Sequence, residues 1–181
     1  MKILRCLNLL HLTLLCVLVA GCSTRLLNTD FCPANYPFLY VDKADHFSLC
    51  LPPNLKMPVP DGPTTFTGFP VPKGTNLVAM SLVIATGKYD GLTGARPAGS
   101  LAVGDVVFQR SQVEGGSIGH STLHVIYTWR TQGRVLYFDF VHAAVNLPIY
   151  DPADRPREYD RAAQIKISEE IMRTFRKMYR P

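Results

Sequence analysis

Between residues 118 and 142 two apolar segments, "IGHSTLHVIYTWR" and "RVLYFDFVH", flank Thr131-Gln132-Gly133. A two-residue turn at Gln132-Gly133 sets Trp129 opposite Leu136, Tyr127 opposite Phe138, Val125 opposite Phe140 and Leu123 opposite His142. Every partner but the last is apolar. The other face receives Thr128 with Tyr137, Ile126 with Asp139 and His124 with Val141, a more polar set, so a slip of one residue would scramble both faces. Residues 76–86, apolar on both faces and closed by Gly87, predict a buried strand, and residues 106–114 another. The intervening "KYDGLTGARPAGSLAVG", 88–104, reads as a Gly-rich surface loop. Residues 51–74 carry seven prolines and read as a long irregular connection, either functional or a surface wrap.

At the C-terminus the period changes, because Ala163, Ile167, Ile171, Phe175 and Met178 recur at helical spacing. This stripe predicts one helix over about 157–179, with Pro156 in its first turn and Asp154 as its cap. Strands first and a helix last predict an α+β domain over 32–181: an antiparallel β-sheet with a long C-terminal amphipathic helix packed on one face, shielding Trp129.

The first 21 residues have a different character. Lys2 and Arg5 precede an apolar run over 7–19, which falls short of the roughly 20 residues a spanning helix needs and reads as a signal peptide. The run ends in Leu18-Val19-Ala20-Gly21-Cys22, which resembles the bacterial lipobox at every position. The resemblance implies cleavage before Cys22, acylation of its sulfur and new amino group, and a short tether over 22–31. Ser23, in place of an aspartate, implies a lipid-anchored protein at the outer membrane facing the periplasm. The competing reading makes Cys22 a buried or disulfide-bonded cysteine behind an ordinary signal peptide.

Loss of Lys2 and Arg5 leaves 17 basic and 14 acidic side chains, a formal charge of +3. The basic excess gathers near the end, at Arg157, Arg161, Lys166, Arg173, Arg176, Lys177 and Arg180. It reads as a solvated helix face or as a contact for anionic head groups or polysaccharide; nucleic acid is not an expected partner in this compartment. Cys6 and Cys16 leave with the signal peptide, so Cys32 and Cys50 remain as an expected disulfide, worth roughly 3 kcal/mol by loop closure. The CxxC and Cys/His spacings of metal or redox sites are missing, and neither metal nor cofactor is expected.

A strand of the type "FSLCLPPN", a meander of long strands and a closing "IMRTFRKM" are similar to the PsbP-like α/β/α sandwich, over about 47–178. The resemblance implies a binding or assembly factor more than an enzyme and carries over no catalytic residue. Candidates for catalysis are His46, His120, His124 and His142 with Asp105, Ser121 and Asp139. His120 and His124 share a strand face but stand about 13 Å apart by strand rise, too far for one metal unless the strand bends at Gly119. Asp139 lies diagonal to His124, within reach of a hydrogen bond. "GHS" lacks the flanking glycines of a nucleophile elbow. His142, Asn146 and Tyr150 converge where the chain leaves the hairpin, either bracing that loop or forming the lip of a ligand or partner site. Two function classes follow: a non-catalytic, lipid-tethered binding or assembly module of the cell envelope with a protein or polysaccharide partner, or a small periplasmic hydrolase acting on envelope polymer.

Overall fold

The computed structural model describes residues 27–28, 31–57, 63–131 and 133–178. The signal peptide, Cys22 and Gln132 lie outside the described residues, as does most of the tether. Among the described residues ten strands run in chain order: β1 (Leu27–Asn28), β2 (Phe38–Asp42), β3 (Phe47–Leu51), β4 (Thr64–Thr67), β5 (Leu77–Thr86), β6 (Arg96–Val103), β7 (Val106–Ser117), β8 (His120–Thr131), β9 (Arg134–Val145) and β10 (Arg176–Lys177). One α-helix, α1 (Arg161–Met172), lies between β9 and β10. Strands β4-β5-β9-β8-β7-β6 form a six-stranded sheet and β1-β2-β3-β10 a small one, with antiparallel pairing throughout both.

The β8–β9 hairpin has the predicted register, from Leu123 opposite His142 to Trp129 opposite Leu136. It is the last of three successive tight hairpins, which close at 103/106, 117/120 and 131/134. Each turn holds one glycine with positive φ, namely Gly104, Gly119 and Gly133, a conformation glycine adopts without a Cβ clash. The first hairpin corrects the reading of 88–104 as a loop, since its second half is β6. Pro97 and a bulge between Pro97 and Gly99 obscure the alternation, and both are tolerated because β6 is an edge strand. At the opposite edge β4 arises inside the Pro-rich segment, pairing with β5 and burying Phe66, while Phe69 follows into the core.

The inner face of the large sheet presents Leu82, Phe108, Val125, Tyr127, Phe138 and Phe140 to one hydrophobic core. The small sheet covers it with Tyr40, Phe47, Leu49 and Leu51, and the C-terminal segment with Ile171, Met172 and Phe175. The described residues are thus mostly antiparallel sheet with one short C-terminal helix. The second helical layer of an α/β/α sandwich has no counterpart among the described residues.

The predicted long helix is the main correction, since α1 has 12 residues. Asp160, not Asp154, caps it by accepting from the Ala163 N–H at 3.0 Å. Before the cap the chain is held extended against the start of β5: Arg157 N–H donates to the Gly74 carbonyl, Asn76 N–H to the Arg157 carbonyl, and Tyr159 N–H to Asn76 Oδ1. The helix ends where Thr174 Oγ1 donates to the Ile171 carbonyl at 2.6 Å and accepts from the Cys50 N–H at 2.9 Å. The chain then joins the small sheet, with Arg176 opposite Ser48 and Lys177 opposite Phe47. Gln164, Ser168, Ile171 and Met172 face inward, whereas Ala163 of the predicted stripe is exposed. Two polar residues on the buried face hid it from hydropathy.

Phe175 therefore lies beyond the helix, yet it shields Trp129, with ring centroids 5.3 Å apart. It also packs on Phe47 at 5.6 Å, Phe108 at 5.0 Å and Phe138 at 5.8 Å. The expected disulfide joins Cys32 to Cys50 and ties the N-terminal arm to β3. Phe175→Ala is expected to cost roughly 3–5 kcal/mol of stability by emptying this aromatic cluster. Chemical denaturation should show it, with a red-shifted emission from the sole tryptophan; Lys166→Ala, on the exposed face of α1, should leave both readouts unchanged.

Candidate functional site

Two places in the fold concentrate chemistry. The first is on the outer face of the large sheet, where Asp139 of β9 stands opposite Val83 of β5 and Ile126 of β8. This carboxylate is fully buried. Its Oδ2 meets His124 Nδ1 at 2.8 Å and accepts the Tyr89 hydroxyl at 2.5 Å, whereas Oδ1 has no partner among the described residues. Tyr89 comes from the β5–β6 connection, which folds back over the sheet and stacks Tyr89 on Tyr137 with centroids 5.4 Å apart. Its burial, then the bond to Asp139, push the Tyr89 hydroxyl well above its ordinary pKa. The bond to Asp139 raises the pKa of His124 against the opposing effect of partial burial. The diagonal His124 and Asp139 pair was legible from the register; Tyr89 was not, because its segment reads as loop.

The remaining candidates are dispersed. His120 is exposed at the start of β8, Ser121 follows half-buried, Asp105 sits in the β6–β7 turn, and His46 has positive φ with its carbonyl accepting from the Met178 N–H. No group of three or more His, Cys, Asp or Glu side chains among the described residues could hold a metal ion. His142 does not reach the lip proposed for it. It belongs to the inner face, is fully buried, and has Nδ1 3.2 Å from the Leu123 carbonyl, with burial pushing its pKa down. Asn146 stays at the surface and braces the loop: its N–H donates to the Gly119 carbonyl and Nδ2 to the Ser117 carbonyl. Tyr150, half-buried, ends the single turn Leu147–Ile149. The sheet separates His142 from the other two because its side chain alternates inward with Phe138 and Phe140.

The second place is a cleft of about 1040 Å³ on the outer side of the small sheet. Phe31, Tyr36, Leu39 and the Cys32–Cys50 disulfide form one wall, and Glu170, Arg173 and Arg176 stand on the other. The Tyr36 hydroxyl bridges the walls by donating to Glu170 Oε2 at 3.0 Å; burial and that carboxylate push its pKa up to about 12. Phe31 is 91% exposed at the rim. Among the described residues neither guanidinium faces a carboxylate within ion-pair distance, and Arg176 Nη1 is spent on the carbonyls of Arg173 and Phe175. The basic C-terminal residues and the cysteine pair were visible in the sequence. Their meeting depends on β10 joining β3, which no local pattern announces.

For His124 the sign of the pH dependence follows from its raised pKa. Its pairing with Asp139 contributes stability that is fully present below the unfolded value of about 6.5 and is lost as pH rises through the higher folded value. NMR titration is expected to place the His124 midpoint above 6.5 in the wild type. In Asp139→Asn it should fall to 6.5 or below, since burial then acts unopposed, and the gain in stability on the acid side should vanish from denaturation curves.

No family model matches the chain. No curated protein matches it either. Among solved structures it is similar to a crystal structure from Bacteroides thetaiotaomicron VPI-5482, with 13% sequence identity and a TM-score of 0.48, over 78% of this chain and 48% of the other. The chain therefore spans about half the length of that protein.

Proposed function

We propose that the chain is a lipid-anchored, non-catalytic binding or assembly module of the bacterial cell envelope, held at the outer membrane through Cys22 and facing the periplasm. The observation that carries this reading is the position of the cleft. It opens beside Phe31, nine positions after the lipobox cysteine, so a lipidated Cys22 would hold it near the membrane surface. The lipobox resemblance supports the anchor, and a disulfide suits an oxidising compartment.

The hydrolase reading has less to support it. His124 is oriented by a buried carboxylate, as a general base often is, but the third group of the cluster is Tyr89, which bonds the carboxylate and not the imidazole. Among the described residues no hydroxyl is hydrogen-bonded to the His124 ring.

Mass spectrometry of the protein purified from membranes is expected to find an acylated N-terminal peptide beginning at Cys22. Cys22→Ala should remain unprocessed by the lipoprotein peptidase and lose the acylated peptide. An unmodified terminus, or cleavage at another position in the wild type, would overturn the anchor.

A further inference from the structure

The cleft combines an apolar rim with cations that lack acidic partners, and it sits where the tether enters the domain. We propose that this cleft is a membrane-docking surface, in which Phe31 enters the head-group region while Arg173 and Arg176 engage the phosphates of anionic phospholipids. The proposal rests on the lipid anchor and names what the anchored domain binds: the surface of its own membrane.

Reach is the first argument. The nine steps along the chain from Cys22 to Phe31 span at most roughly 30 Å when fully extended, so the rim stays within that distance of a lipidated Cys22. Charge is the second. Arg173 is exposed and unpaired among the described residues, whereas Arg110 pairs with Glu169, Arg161 with Glu114 and Lys177 with Asp105. Glu170, the acid within the cleft, is occupied by the Tyr36 hydroxyl. Shape is the third argument. Phe31 projects almost wholly into solvent, and the disulfide fixes the next residue to β3, so the ring is presented from a rigid mount. An apolar side chain flanked by guanidinium groups matches the interface between acyl chains and phosphates.

The test uses the lipidated protein reconstituted into vesicles of phosphatidylcholine alone or mixed with phosphatidylglycerol, with hydroxyl-radical labelling of Phe31 as the readout. Two basic side chains at an anionic surface together favour the docked state roughly thirtyfold. Labelling of Phe31 is therefore expected to fall severalfold in the anionic vesicles only, and to recover in high salt or in the Arg173→Glu/Arg176→Glu variant. Labelling of Ile118, which is also exposed, should not change with lipid charge. Equal labelling of Phe31 in both lipids overturns the proposal and leaves the anchor intact. Protection that follows protein density instead of lipid charge assigns the cleft to a second copy of the chain and also overturns it. Protein that fails to float with either vesicle removes the anchor, and the docking surface with it.

Discussion

The aromatic side chain of Phe175 closes the core of this protein. The six-stranded sheet buries its inner face only if something covers it, and the cover is assembled from pieces too small to fold alone: a five-residue strand pair, a 12-residue helix and a two-residue strand. Phe175 sits where these meet, stacked on Phe47 and set edge-on to Phe108, Phe138 and Trp129. Thr174 beside it holds the backbone of β3 with its hydroxyl. Burial of one residue thus fixes the helix end, the small sheet and the large sheet together, and the segment after the helix becomes a strand because that position requires it.

The same constraint shapes the two polar sites. The outer face of the large sheet is covered in part by the β5–β6 connection, and Tyr89 is its polar anchor there. A buried carboxylate without compensation costs several kcal/mol, so Asp139 persists only with donors, which His124 and Tyr89 supply. The cluster secures this connection to the sheet while keeping one imidazole at the surface. On the other side of the molecule the disulfide performs a related task, because it joins the arm before β2, whose Phe31 stands in solvent, to the strand on which Phe175 packs. The cleft is the space left between that arm and the C-terminal segment.

Much of the large sheet was legible in the sequence because its central hairpins are local. Two-residue turns set register directly, and Trp129, Tyr127, Val125 and Leu123 found their predicted partners. The His124 and Asp139 contact followed from the same arithmetic. Edge strands were less legible: β6 carries Pro97 and Gly99, β4 is four residues set among the prolines of the 51–74 segment, and only their pairing with β7 and β5 makes them strands. The helix was half-read, since a stripe of Ala163, Ile167, Ile171 and Phe175 suggested a continuous face where the buried one runs through Gln164 and Ser168.

The sequence by itself determined the hairpin register, the cysteine pair and the general order of strands before helix, because each depends on residues close in the chain or on covalent chemistry. Tertiary structure alone decided where the helix ends, with Thr174 held by Cys50, and that Arg173 meets Phe31 across a cleft. Those outcomes depend on which surfaces compete to cover one apolar sheet face, and that competition is settled between residues more than a hundred positions apart, where no local periodicity reaches.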